Sequence, residues 1–426
     1  MEIIGIFHSM LWAVLFAFLI LRYVTNFSRT SLVLAIGLKV TGALLIEAIY
    51  TYYYTDRSTA DIYRFFDDGM ILHSIWSHSP SDFLRIISGI GMKPEFTQAY
   101  FEHMNSWIKP WDSGFYNDNH IMIRLHALMS FISFGYYSVH GVIFSMLSLV
   151  GLIWIIGFLE QERRTNSVAL ILVSILPSFL LWCSGGMKEA LVVFGIGALF
   201  KSLSYLKPGG KLVLGSTAII ISIALLSQVK PYFLLCLMPV IIIYAISLRK
   251  KLSALGQLVT LMTIWLLGWA LTSVVGVSVL DYIVLKQTEF INLAQHLSAG
   301  SSFELGRIED SVWSIILHIP EAMVNVLLRP FPWDIGGAAL MLLFLENALL
   351  ILLGIVILYY RFTDKTKKGL PLWLLLWGLP ILALIGLTTP VLGASMRYRA
   401  PVIIFVLIYA SPFIESIVYT PNHKKT

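Results

Sequence analysis

With 426 residues, 58% hydrophobic, 13% charged and a mean hydropathy of +0.81, the chain is far from the roughly 25% charged composition of a soluble globular protein. It reads as one polytopic membrane domain over residues 1–426, and its net charge of +6 is assigned to membrane orientation and anionic lipid rather than to nucleic acid. Cys183 and Cys236 both fall in apolar runs, so neither a disulfide framework nor a cysteine metal knuckle is supported.

Taken in order, the apolar runs near the 20 residues needed to cross a hydrocarbon core lie at 3–21 and 31–50. The first lacks a basic start and a small-residue cleavage site, so it is read as a retained helix, not a signal peptide. A polar interval, 55–120, follows as a first outer loop with interfacial helices. Within it, residues 61–73, if helical, place Asp61, Arg64 and Asp68 along one face. The short apolar run 121–134, which carries Arg124 and His126, is read as interfacial or re-entrant. Further spans are read at 140–159, 167–183, 190–205, 212–228, 231–248 and 252–275. A second outer loop, 276–336, holds an amphipathic stretch at 312–328, and the last spans lie at 338–360, 370–387 and 400–419. The fold class is therefore all-α, with about eleven transmembrane helices plus interfacial helices in the outer loops.

Charge orients this arrangement, because short cytoplasmic loops collect Lys and Arg. Alternate connections hold Arg22 and Arg29, Arg163 and Arg164, Lys201, Lys207 and Lys211, Arg249, Lys250 and Lys251, Arg361, Lys365, Lys367 and Lys368, and Lys424 and Lys425. These are read as cytoplasmic, which places the N-terminus outside and the C-terminus inside a cell (inner) membrane crossed many times. The opposite face then receives Asp61, Arg64, Asp67, Asp68, His73, Arg124, Lys188, Glu189, Arg329, Asp334, Arg397 and Arg399.

Four constellations on that face could carry chemistry. Asp61, Asp67 and Asp68 supply carboxylates that could accept a proton or hold a divalent cation; the alternative is a solvated helix with an Asp61–Arg64 ion pair. Gly185 and Gly186 permit a sharp reversal between spans, exposing backbone N–H groups beside Lys188 and Glu189 for an anion, with Trp182 nearby. A helical hairpin with a snorkelling Lys188 explains the same residues. Arg397 and Arg399 flank Tyr398 just before a span and suit bidentate phosphate recognition, or serve as interfacial anchors. Arg329 sits beside Pro330, Phe331, Pro332 and Trp333, aromatics suited to a headgroup belt or a sugar face. The aromatic run Phe96, Tyr100, Phe101, Trp107, Trp111, Phe115 and Tyr116 reads as a loop lying on the membrane. Lys39 and Glu47 share the second span about 12 Å apart along the axis and roughly 80° apart around it. Each is therefore expected to find its partner on another helix or to snorkel.

Together, Asp61-x-Tyr63 with Asp67-Asp68, the Arg124-Leu-His-Ala-Leu helix, Pro177-Ser-Phe-Leu-Leu-Trp182 leading to Lys188-Glu189, and Arg397-Tyr-Arg-x-Pro401 resemble the polytopic GT-C glycosyltransferases and related bacterial envelope-polysaccharide membrane proteins. The resemblance implies transfer of a sugar from a polyprenyl-phosphate-linked donor to a glycan or lipid acceptor at the outer face of the membrane. Asp61, Asp67 or Asp68 would be the base or the ligand of a divalent cation, and Arg397 and Arg399 would meet the lipid phosphate. Arg64, Arg124, Trp182, Lys188, Glu189 and Arg329 complete the expected substrate contacts. In that family the acidic loop follows the first helix, whereas here two helices precede it, which brings an O-antigen-type polymerase or ligase closer. A transporter or scaffold of polysaccharide export is the alternative from another class, drawing on Lys39 and Glu47.

Overall fold

The computed structural model describes residues 2–54, 56–57, 60–108, 117–159, 161–207, 209–247, 250, 252–274, 278–296, 300–363, 370–371 and 373–418. Trp111, Phe115 and Tyr116 of the aromatic run lie outside the described residues, as do Arg249, Lys251, Lys365, Lys367, Lys368, Lys424 and Lys425 of the basic loops. The chain is an all-α polytopic membrane protein. Its helices, in order, are α1 (Ile3–Tyr23), α2 (Arg29–Ala48), which runs on into a π-helical turn Ile49–Tyr53, α3 (Asp61–His78), α4 (Pro80–Ser88), α5 (Glu95–Ala99) and α6 (Asn119–Ser133). Next come α7 (Tyr137–Phe158), α8 (Arg163–Ser174), α9 (Pro177–Trp182), α10 (Lys188–Ser204), α11 (Leu212–Val229), α12 (Pro231–Ser247) and α13 (Ala254–Val274). The series ends with α14 (Val279–His296), α15 (Val312–Leu328), α16 (Ala338–Thr363), α17 (Trp373–Leu376), α18 (Leu379–Thr388) and α19 (Leu392–Val418).

Among the described residues, 7 helices are long and apolar enough to cross a membrane: α1, α2 with its π-helical turn, α7, α11, α13, α16 and α19. Pro231–Ser247, Val312–Leu328 and Trp373–Thr388 are shorter apolar helical stretches. Of the four expected crossings that differ, two are divided helices, and two form α10 and α12, continuous at 17 residues each. The run at 167–183 is divided because Pro177 biases Leu176 away from the helical region, so α8 stops at Ser174 and α9 starts afresh. The run at 370–387 is interrupted by a turn at residues 377–378, and α18 starts afresh with Pro380 in its first turn. The amphipathic stretch at 312–328 is α15, capped by Ser311, whose side chain accepts from the Ser314 amide.

The chain forms two compact units, each assembled from segments distant in sequence, where the apolar pattern alone suggested one domain. The first comprises Met1–Ile155, Leu180–Phe200 and Thr217–Pro231; the second comprises Ile156–Phe179, Lys201–Ser216 and Tyr232–Thr426.

In the first unit the closest pairing is α3 against α6. Gly69 makes it possible: a Cβ there would stand 2.6 Å from the Cβ of His126, so only a glycine allows this approach. Leu72, Met122, Ile123 and Ala127 are completely buried in this unit, which removes their apolar surface from solvent. A second cluster gathers Ile46, Ala60, Ile62, Tyr63, Phe66, Tyr137 and Met187, with Tyr50, Met70, Leu181 and Trp182 packed against it. The α3 N-terminus is thereby anchored to the end of α2.

In the second unit α15 packs on α18, α8 on α19, and α16 on α19. Gln287 of α14, 3% exposed, uses both ends of its amide. Its Nε2 donates to the carbonyls of Gly306 (2.9 Å) and Leu387 (2.8 Å), and its Oε1 accepts from the Ile308 amide at 2.9 Å. One amide thus fixes α14 to the stretch before α15 and to α18, satisfying backbone groups that an apolar interior would otherwise leave costly. The two segments flanking 301–303 and 390–392 meet in an isolated antiparallel bridge between Ser302 and Val391.

Candidate functional site

Residues 61–73 are helical, as the first turns of α3, and their three aspartates have three different environments. Asp68 is completely buried. Its Oδ1 accepts from the Asn105 amide and its Oδ2 from the Ser106 amide, both at 2.7 Å. Both carboxylate oxygens therefore hold a loop that has no helix or strand to satisfy its backbone. Burial pushes the Asp68 carboxyl above its ordinary range, while the two amides and Arg64 pull it back. Asp67 is gripped in a two-point contact by Arg57, from Nε to Oδ2 at 2.8 Å and from the terminal nitrogen to Oδ1 at 2.6 Å. The same Arg57 lies over the Tyr63 ring, 4.1 Å from its centre. Asp61, half-buried in the first turn, lies one helical turn from Phe65 and two from Asp68, so the three share a face.

Lys188, at the start of α10, joins this face. Its ammonium is 5.1 Å from the centre of the Phe65 ring, 2.6 Å from the Asp118 carboxylate and 2.7 Å from Asn119 Oδ1. Asn119 in turn donates to the Ser106 carbonyl at 3.1 Å, the residue whose amide Asp68 holds. One continuous polar chain therefore runs Asp68, Ser106, Asn119, Lys188, Asp118. Arg64 closes the edge, donating to the Asn105 carbonyl at 2.9 Å. Arg124 secures the same loop system from α6, donating to the Ile86 carbonyl at 2.9 Å with its guanidinium 5.6 Å from the centre of the Trp107 ring.

The reversal ahead of Lys188 differs from the exposed anion cradle expected there. Gly185 takes a left-handed backbone (φ 63°), which glycine adopts without strain, but residues 183–187 are buried. The Gly186 amide donates to Tyr137 Oη at 3.0 Å. The Cys183 carbonyl accepts from Lys39 at 2.6 Å and from Ser148 at 2.7 Å. Lys39 also donates to Ser184 Oγ at 2.7 Å, and Glu47 Oε1 accepts from Ser138 Oγ at 2.8 Å. The two charged residues of α2 thus find partners on other elements, as their separation required. Glu189 is 2% exposed and pairs with Lys230, itself 5% exposed, at 2.8 Å.

Expected site residues in the second unit are placed otherwise. The helix bearing Arg397 and Arg399 begins at Leu392, eight residues before the span expected there, so both arginines lie within α19 rather than at its mouth. Arg399 is completely buried. It donates to the Val326 carbonyl at 2.5 Å and to the Leu327 carbonyl at 3.5 Å, meets Asn347 Oδ1, and stands 3.6 Å from Glu346. Those carbonyls belong to the last turn of α15, where no helical partner exists, so Arg399 caps one helix from another. Glu346 is completed by the Ser178 amide (2.7 Å) and hydroxyl (2.5 Å). Arg397, on a different face of α19, approaches its neighbour Tyr398, 5.0 Å from the ring centre. Arg329 lies 4.3 Å from the centre of the Phe303 ring and 3.8 Å from Asp334.

Lys230, Asp118 and Asn119 were missed by sequence reasoning. Lys230 stands alone between Val229 and Pro231, and its partner lies 41 residues earlier; its signal was a single cation between two apolar runs. Among the described residues no group of three or more His, Cys, Asp or Glu side chains gathers in a way that could hold a metal ion. No family model, curated protein or solved structure matches the chain.

Proposed function

We propose that this membrane protein transfers a sugar from a polyprenyl-phosphate-linked donor to a glycan or lipid acceptor, with its α3 face at the non-cytoplasmic surface, the N-terminus outside and the C-terminus inside. The observation that carries this reading is that Asp61, a half-buried carboxylate, lies one helical turn along α3 from Phe65, the ring that the Lys188 ammonium faces at 5.1 Å. Asp61 accepts the proton of the attacking hydroxyl. Lys188 meets the donor's phosphate, exchanging an Asp118 oxygen for a phosphate oxygen, and Arg64 borders the same edge. Asp67 and Asp68 hold Arg57 and the 105–106 loop and support the face without touching the reacting atoms.

In membranes containing the folded protein and a polyprenyl-phosphate-linked sugar, Asp61→Asn lowers transfer by about 10²-fold or more, whereas Asp67→Asn leaves it near the starting rate. Undiminished transfer by Asp61→Asn sinks the assignment. A transport reading draws on the Glu189–Lys230 pair, buried at the junction of apolar helices. It requires substrate uptake into vesicles that Glu189→Gln abolishes and Asp61→Asn does not.

A further inference from the structure

The end of α2 holds a set of groups that the α3 face does not use. Glu47, 4% exposed, offers Oε1 to Ser138, but its Oε2 is buried and meets no hydrogen-bond donor among the described residues. The indole Nε1 of Trp182 is likewise buried and meets no acceptor. A buried acceptor and a buried donor left without partners are each costly, and few such atoms persist without a reason. Both border one aromatic cluster: Trp182 and Tyr50 pack on the group containing Ile46, Tyr63 and Tyr137, while Glu47 accepts from Ser138, the residue after Tyr137, through Oε1 and from Tyr63 Oη through its carbonyl. Tyr63 and Tyr137 meet edge to face with centres 4.9 Å apart.

The backbone here is also unusual. After Ala48, α2 widens into the π-helical turn Ile49–Tyr53, a form concentrated at functional sites. In this turn Thr51 Oγ1 donates to the Glu47 carbonyl at 2.7 Å and lies 2.5 Å from Tyr63 Oη. The turn and the start of α3 are tied at the same carboxylate-bearing residue.

From this arrangement we infer a sugar-binding subsite in the first unit, with Glu47 and Trp182 as its polar contacts and Tyr50, Tyr63 and Tyr137 as its aromatic surroundings. The inference rests on the sugar-transfer reading for its ligand class and deepens it. A pyranose presents hydroxyls that both donate and accept, so one ring can donate to Glu47 Oε2 and accept from Trp182 Nε1, while its C–H face lies on an aromatic ring. A purely apolar lipid chain would leave both atoms unsatisfied. Arg57, over the Tyr63 ring at 4.1 Å and paired with Asp67, is a cation at the edge of this cluster, so exchange of an Asp67 oxygen for a phosphate oxygen would let the subsite take the donor sugar; a sugar of the acceptor has the same hydroxyl chemistry without that charge.

The test is binding, not turnover. Full-length protein in lipid nanodiscs is titrated, by saturation-transfer NMR, with methyl glucoside, methyl galactoside, methyl mannoside and N-acetylglucosamine, and with the 1-phosphates of the same sugars. At least one saccharide binds the unaltered protein, and Glu47→Gln and Trp182→Phe each weaken it by about tenfold or more while keeping its unfolding midpoint. Arg57→Met separates the sources: selective weakening of the sugar phosphate identifies the donor sugar, and equal binding of glycoside and phosphate identifies the acceptor. Absence of any saccharide binding to the unaltered protein overturns the inference, and so does unchanged binding in both folded variants. Lost binding in Glu47→Gln with no transfer from any lipid-linked donor leaves the subsite standing and removes the enzyme reading. Unchanged binding in Glu47→Gln and Trp182→Phe, with transfer lost in Asp61→Asn, does the reverse.

Discussion

In the second unit Arg399 is enclosed by two helix-end carbonyls, Asn347 and Glu346 and has no exposed surface, whereas in the first unit Lys188 keeps 13% of its side chain exposed beside an Asp118 that is 27% exposed. Both cations are tied to acidic and amide partners. The difference is what the partners cost to leave. Removing Arg399 strands a buried carboxylate and unpaired carbonyls, while an incoming anion could take the place of Asp118 in a setting where water already reaches both groups. Arg399 ties helix ends together in the second unit, as the buried Glu189–Lys230 pair joins α10 to the end of α11 in the first; the Lys188–Asp118 pair differs from both in keeping solvent-exposed surface.

The sharpest way to break that comparison is Arg399→Met. It leaves Glu346 and the last turn of α15 without their counter-group and costs about 3–5 kcal/mol, read as loss of detergent-stable folded protein; unaltered stability would mean that the α15 and α16 contacts do not depend on it. Asp68→Asn is smaller. It aims an amide N–H₂ at one of the two backbone donors and costs about 1–3 kcal/mol, detected as faster amide hydrogen exchange at Asn105 and Ser106. Asp67→Asn removes an exposed two-point pair with Arg57 and changes stability by no more than about 1 kcal/mol, measured as a thermal midpoint; a larger loss would put Asp67 with the structural charges.

A fourth prediction concerns pH. Wholly buried, His126 is held well below 6.5 by that burial, with His140 adding to the effect, and the two rings meet through their Nδ1 atoms at 2.8 Å. The unfolded chain takes up a proton near pH 6.5 that the folded chain resists. This contribution to stability is therefore full above that pH and is lost as pH falls below it. Unfolding midpoints measured from pH 7.5 to 5 should decline on acidification, and His126→Asn should flatten the decline; a slope unchanged by the substitution would show that other groups set it.

Much of this was legible in the residues, because membrane insertion imposes long apolar runs and helices are the form that satisfies backbone groups there. The amphipathic stretch at 312–328 has the bounds of α15, because a helix with one apolar face shows its period in the residues. The need for Lys39 and Glu47 to find partners on other helices followed from helix geometry alone. Only the tertiary structure decided which charges are structural. The sequence presents Arg397 and Arg399 as a matched pair and Asp67 and Asp68 as another, yet a helix turns adjacent or alternate residues to different faces, so in each pair one member is enclosed and the other is not. Glu189 pairs with Lys230 and Lys188 with Asp118 across 41 and 70 residues of chain, distances at which no local pattern can assign a partner, since the pairing is set by which helices pack.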